Sequence, residues 1–228
     1  MAEILVVDDE LAVRRGIKAL LQGEGYCVRT AKSGADALAI VAERRPDLVL
    51  LDIMMPGMNG FRVCEEIRRG DRLLPIVFLT AATSEADQVR GMGLGGDDYI
   101  AKSAPSSLLL ARVGRAIARG ADVAAGLARK TPEVVRLGDI SVDMRSLVVT
   151  GGGGTECLTR TEADILATLF ARRGEYVSLD ELIECLRGEG FACEDSMIYS
   201  HVSRLRRKLG PAGHLIVSAR GSGYALGG

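Results

Sequence analysis

Short runs of branched apolar residues recur along the first half of the chain, at residues 4–7, 26–30, 48–51, 76–80 and 99–101, each followed by a stretch of helical character. That alternation predicts a parallel sheet covered by helices on both faces. The first intervening helix is the plainest: Val13, Ile17, Leu20 and Leu21 recur at helical spacing, and the stretch from Gly23 to Gly25 closes it. Ser33 is placed to cap a second helix over residues 35–42, whose Leu38, Val41 and Ala42 share one side. Between residues 119 and 135 the alternation stops and the sequence turns rich in Ala and Gly up to Thr131-Pro132, the mark of a linker.

Beyond it the pattern changes to short strands, at residues 134–137, 140–142 and 147–150, with Gly151 to Gly154 as an open turn. That glycine run has no following Lys-Ser/Thr, so it reads as a hairpin tip rather than a phosphate cradle. Thr159 and Glu162 stand in the spacing of a capping box before the apolar-periodic Ile165, Leu166 and Leu169, and Ser178 with Glu181 repeats it. A third helix is predicted over residues 197–209, where Ile198, Val202, Leu205 and Leu209 form one stripe that turns Arg204, Arg207 and Lys208 outward, with Tyr199 and Ser200 also outside. The last segment reads as a hairpin with Arg220 beside its glycine-rich tip.

A length of 228 residues favours two domains over one, and 47% hydrophobic with 26% charged residues is the balance of an ordinary soluble chain. No run approaches the roughly twenty apolar residues that span a bilayer, and Met1 leads directly into a strand, so a cytoplasmic protein without membrane attachment is expected. The five cysteines are odd in number and scattered, which suits reduced thiols. Net charge is −1, but the 33 residues from Ser196 to Gly228 hold Arg204, Arg206, Arg207, Lys208 and Arg220 and no acid, giving a locally basic face on a neutral protein.

The candidate chemistry lies at strand ends. Asp52 closes the run Leu48-Val49-Leu50-Leu51, and Asp8 and Asp9 follow the first run, so neighbouring strands can bring three carboxylates together at the edge where open α/β sheets bind ligands. Three such acids repel unless a cation sits among them, and an oxygen-only donor set suits Mg2+. A carboxylate beside that ion can accept a phosphoryl group as an acyl phosphate. Thr80 and Lys102, at two further strand ends, are placed to meet the new phosphate oxygens with a hydroxyl and an ammonium. Taken singly, each of these residues has a plainer reading as a helix cap or a solvated side chain.

Asp8-Asp9-Glu10, Leu51-Asp52-Ile53-Met54-Met55-Pro56-Gly57-Met58-Asn59-Gly60, Leu79-Thr80-Ala81 and Asp97-Asp98-Tyr99-Ile100-Ala101-Lys102 resemble the receiver domain of bacterial two-component response regulators. The second half, through Leu158-Thr159-Arg160-Thr161-Glu162, His201 to Leu209 and Arg220-Gly221-Ser222-Gly223-Tyr224, resembles the winged-helix effector domain of the OmpR/PhoB type. The resemblance implies a flavodoxin-like, doubly wound five-stranded α/β domain over residues 1–120, a linker over 121–133 and an α+β winged helix-turn-helix domain over 134–228.

It further implies a cytoplasmic transcription regulator whose partners are a sensor histidine kinase and double-stranded promoter DNA, with RNA polymerase a further candidate. Asp52 is the implied phosphoacceptor. Asp9, Asp52 and the Met54 carbonyl would hold Mg2+, with Asp8 assisting through water, and Thr80 and Tyr99 would form the switch. Phosphorylation would favour a homodimer through the family's fourth helix, fifth strand and fifth helix, here carrying Val89, Met92, Asp97, Asp98, Leu110, Arg112 and Arg119. Asp98 with Arg112 and Asp97 with Arg119 match two of the family's ion pairs, while Gln88 and Leu108 stand where the third is lost. His201, Arg204, Arg206 and Arg207 match DNA-facing helix positions and Arg220 matches the minor-groove wing residue.

This chain also departs from the family. Ser103 and Ala104 stand in place of the usual cis-proline and phenylalanine after the lysine, so a trans bond and a less firmly aimed Lys102 are expected. Ser196 and Ser203 replace frequent arginines and Arg187 a frequent Trp, which points to a different DNA sequence. Two other readings compete. One is a regulator that binds DNA without phosphorylation. The other is a Mg2+-dependent aspartyl phosphatase or phosphotransferase, disfavoured because Met54 occupies the position where such enzymes carry their second acid.

Overall fold

The computed structural model describes residues 1–81, 96–124, 133–187, 195–219 and 221–227, and of residues 119–124, 185–187 and 195–197 the backbone alone. Gln88, Val89, Met92 and Arg220, and the side chains of Arg119, Arg187 and Ser196, therefore lie outside the described residues. The chain divides into two compact units, Met1–Ala124 and Ala125–Gly228. The last helix of the first unit continues through Ala124.

Five strands form the first unit: β1 (Glu3–Val7), β2 (Cys27–Ala31), β3 (Leu48–Asp52), β4 (Ile76–Thr80) and β5 (Asp98–Ala101). They pair in the order β2-β1-β3-β4-β5, all parallel. Four described helices accompany them: α1 (Leu11–Gly23), α2 (Gly34–Glu43), α3 (Gly60–Gly70) and α4 (Ser106–Ala124). Every residue of β1, β3 and β4 is buried, which is why these strands read as unbroken apolar runs rather than alternating ones. Ile4, Val6, Leu48, Leu50, Val77, Leu79 and Ile100 pack with Leu21, Leu109 and Val113 in one core, while Phe61 of α3 meets Phe78 of β4 edge to face at 5.6 Å. Ser33 caps α2 as expected, its Oγ accepting from the amide of Asp36 at 3.2 Å.

Chain order reverses between β1 and β3, the neighbours at the centre of the sheet. Connections leave the carboxyl ends of such a pair in opposite directions, which opens a crevice there. Gly60 lines its approach: a Cβ at that position would stand 2.1 Å from the carbonyl oxygen of Asp52, so the backbone of α3 can start this close to β3 only without a side chain.

The second unit opens with an antiparallel sheet of β6 (Val134–Leu137), β7 (Ile140–Asp143), β8 (Val148–Gly151) and β9 (Gly154–Cys157), in that order. The glycine run is therefore a tight hairpin, and Gly154 starts a fourth strand rather than ending an open turn. Three described helices follow, α5 (Arg160–Ala171), α6 (Leu179–Arg187) and α7 (Asp195–Lys208), then a 3₁₀ turn (Gly210–Leu215) and the hairpin of β10 (Ile216–Ala219) and β11 (Gly223–Leu226). Both capping boxes are formed: Thr159 with Glu162 opens α5 and Ser178 with Glu181 opens α6. Tyr224 exchanges two backbone hydrogen bonds with Val177, at 2.7 and 2.9 Å, fastening the hairpin to the segment ahead of α6. Gly223, at φ +97°, allows that approach, since a Cβ there would lie 2.0 Å from the Val177 carbonyl. Among the described residues no helix is long and apolar enough to cross a membrane.

Candidate functional site

Asp8 and Asp52 reach the crevice because β1 and β3 are adjacent and end at the same level, and Asp9 follows Asp8 directly. Each of the three offers a carboxylate oxygen within 4.8 Å of the others, with Asp8 and Asp52 buried and Asp9 exposed. Lys102 follows β5 and reaches in from the far side: its Nζ lies 2.7 Å from Asp8 Oδ2, 2.9 Å from Asp52 Oδ2 and 3.4 Å from Glu10 Oε1. No cis peptide bond occurs among the described residues, so the bond to Ser103 is trans as expected. The expectation of a loosely aimed Lys102 is corrected, because its amide donates to the Thr80 carbonyl at 2.7 Å and its side chain ends between two carboxylates.

The backbone holds the acids in place. Asp52 Oδ1 accepts from the Met54 amide at 3.2 Å, and Asp8 Oδ1 accepts from the Glu10 amide at 2.9 Å. Arg14, one turn into α1, donates to the Asp8 carbonyl at 2.6 Å, a contact that sequence spacing does not single out. Burial raises the carboxyl pKa of Asp8, opposed by its hydrogen bonds from Lys102 and the Glu10 amide. For Lys102, burial works against the ammonium, but its hydrogen bonds to Asp8 and Asp52 outweigh this and raise its pKa. One ammonium against three acids leaves a net negative pocket of hard oxygen donors, a set that fits a divalent cation of the Mg2+ kind. Thr80, buried at the end of β4, completes the edge.

Next to this edge Tyr99 is buried in β5, its carbonyl accepting from Arg112 at 2.6 Å. The same guanidinium holds Asp98 at 2.6 Å, so this expected intersubunit pair is closed within one chain. Asp97 pairs with Arg68 of α3 at 2.7 Å and accepts from the Ile76 amide at 2.9 Å. Leu110 is half-buried and packs on the sheet core.

In the second unit α7 corrects three sequence expectations, one of them Lys208, which is half-buried against Glu162 rather than turned outward. His201 is 1% exposed and Arg204 8%, so neither faces outward. Their burial has a partner: Glu162, fully enclosed at the start of α5, takes Lys208 at 2.7 Å and lies 3.6 Å from Arg204. Arg204 also donates to Nδ1 of His201 at 2.9 Å. Arg206 is turned to the hairpin, donating to the Ile216 carbonyl at 2.9 Å with its guanidinium 5.5 Å from the centre of the Tyr224 ring. Among the described side chains of α7, Tyr199, Ser203 and Arg207 are exposed, spaced four apart on one outer face.

The sheet order, the acid cluster at its carboxyl edge and the helical unit with its closing hairpin define a receiver fold followed by a winged helix, the build of a DNA-binding response regulator. Residues 4–114 match the response regulator receiver domain, and residues 154–226 match the C-terminal domain of transcriptional regulatory proteins. The chain is 37% identical to the DNA-binding response regulator MtrA of Mycolicibacterium smegmatis over 227 residues, covering 98% of this chain and 96% of that one. It is 34% identical to the transcriptional regulatory protein AfsQ1 of Streptomyces coelicolor, over 99% of this chain and 98% of the relative. Among solved structures it is similar to the response regulator DrrB, a Thermotoga maritima OmpR/PhoB homologue, at 25% identity and a TM-score of 0.52 over the full length of both chains. The chain belongs to the OmpR/PhoB family of two-component response regulators.

Proposed function

We propose that the protein is a cytoplasmic transcription regulator controlled by phosphorylation of Asp52. The observation that carries this reading is the placement of Asp52 Oδ2 at 2.9 Å from Lys102, inside an acid cluster spanning no more than 4.8 Å. A sensor histidine kinase is the donor: one Asp52 oxygen forms the new O–P bond as the P–N bond of the donor's phosphohistidine breaks. Asp8, Asp9, Asp52 and the Met54 carbonyl would hold Mg2+, which when bound offsets the charge of the phosphoryl oxygens. Lys102 pairs with one of those oxygens, and the Thr80 hydroxyl meets another. Gaining close to two charges at the end of β3 biases the packing of Thr80 and Tyr99, and with it the Asp98–Arg112 surface through which two copies join.

The paired copies place α7 in successive major grooves of promoter DNA, with phosphate contacts setting affinity and a few base contacts setting sequence. Arg207 is the helix residue suited to a phosphate, while Arg204 and His201 support the helix from inside. Enzymatic turnover is disfavoured because Met54, not an acid, stands two residues after Asp52. The test is labelling with acetyl phosphate and Mg2+, followed by selection of bound fragments from random DNA. Stoichiometric labelling that is lost in Asp52→Ala, with a selected site bound more tightly after labelling, is expected. Multiple turnovers would point to the enzyme, and equal DNA affinity of Asp52→Ala and wild type would point to regulation without phosphate.

A further inference from the structure

We infer that Tyr199 determines part of the DNA sequence read, by packing its ring on the C5-methyl group of a thymine in the major groove; this rests on the DNA-binding reading above. Three basic residues of α7 are occupied inside the protein: Arg204 and Lys208 face Glu162, and Arg206 faces Ile216 and Tyr224. Among the described side chains the outer face then consists of Tyr199, Ser203 and Arg207, with Ser200 half-exposed beside it. Among the described side chains of that face only Arg207 brings charge, and it lies in the last turn. The bidentate donors that select guanine, Arg and Lys, and those that select adenine, Asn and Gln, are absent from Tyr199, Ser200 and Ser203. What the middle of the helix presents is one large ring and two hydroxyls.

That ring is held by the protein. Tyr199 is 49% exposed, yet its centroid stands 6.4 Å from that of Tyr224 at 64°, within the edge-to-face range. Tyr224 is itself buried and fixed by its paired hydrogen bonds to Val177 and by Arg206 over its face. A ring placed before contact loses little freedom on binding, so the methyl group it covers counts nearly in full. Among major-groove features, the thymine methyl is the apolar one, and it matches a flat ring that is half open to solvent.

The experiment uses the full chain with acetyl phosphate and Mg2+. A site is selected from random DNA, and each of its thymines is then replaced in turn by deoxyuridine, which removes only the methyl group. At one thymine the wild type is expected to weaken by roughly fourfold, the worth of about one buried methyl. Tyr199→Phe keeps that loss, whereas Tyr199→Ala binds the two probes equally and no longer selects thymine at that position. If no thymine-to-uridine change affects the wild type, or Tyr199→Ala selects the same site, Tyr199 only packs against Tyr224 and the inference is overturned. A wild type that selects no site sinks the DNA-binding reading itself. The uridine probes act on the wild type, so the result does not depend on how a variant folds.

Discussion

Glu162 Oε2 accepts from Lys208 Nζ at 2.7 Å while also accepting from the backbone amide of Thr159 at 2.8 Å, so one enclosed carboxylate caps the start of α5 and seats the last turn of α7. Removing it strands two buried or half-buried cations and an amide. Glu162→Ala is expected to destabilise the second unit by about 3–5 kcal/mol, the usual cost of breaking a buried pair from one side. Urea unfolding followed by circular dichroism measures this, and a loss below about 1 kcal/mol would mean the charges are satisfied without Glu162.

Arg207 makes the opposite case. It is exposed, so Arg207→Ala should leave stability within about 0.5 kcal/mol. Binding to unrelated DNA sequences should fall nearly uniformly, with the slope of log affinity against log salt shallower by about 1. Arg204→Ala should behave in reverse, with lower stability and no such change of slope in the protein that remains folded. A salt titration of both variants decides between these assignments.

At the other edge of the chain, Asp52 is buried among like charges with one ammonium to balance them. Asp52→Ala in EDTA should therefore raise the melting temperature, by about 3 °C for a relief near 1 kcal/mol. Adding Mg2+ should stabilise the wild type more than this variant. Calorimetry with and without the metal would show the reverse order if the carboxylates were not in repulsion.

Gly60 sets the space that Asp52 occupies. Gly60→Ala forces a methyl group to 2.1 Å from the Asp52 carbonyl, so α3 or the end of β3 must shift. A stability loss of about 3 kcal/mol, at the upper end for overpacking, should accompany reduced acetyl phosphate labelling. Normal labelling in a stable variant would show that the strand end tolerates displacement.

Glu181 supplies a pH test. Backbone hydrogen bonding from Ser178, with help from Arg172, lowers its pKa from 4.5 to about 2. A carboxylate with a depressed folded pKa adds stability above its unfolded value that is lost as pH falls through the folded one. The contribution should therefore be complete above about pH 4.5 and disappear toward pH 2. A side-chain NMR titration of Glu181 with a midpoint near 4 would refute the cap as drawn.

Much of this was legible in the sequence where physics is local. Buried parallel strands must be continuously apolar, so β1, β3 and β4 announce themselves, and both capping boxes depend on a spacing of three. β9 does not: Gly154-Thr155-Glu156-Cys157 has no apolar alternation, and its strand is made by pairing with β8. The acids that approach one another from β1 and β3 were legible because strand ends can be counted. Partners far apart in sequence were not. Arg68 holds Asp97 from 29 residues away, and Arg204 is buried because Glu162 awaits it on another helix, whereas helical spacing alone turns an arginine toward water.

The helix α7 is seated by Ile198, Val202, Leu205 and Leu209 together with Arg204, Arg206 and Lys208, while Tyr199, Ser203 and Arg207 take no part in seating it beyond the ring contact with Tyr224. On the proposed DNA-binding reading, anchorage and vocabulary sit on separate letters of the same helix. Rewriting the outward trio would give a differently spoken regulator on an undisturbed frame, which makes this a chassis for exchanging promoter preference.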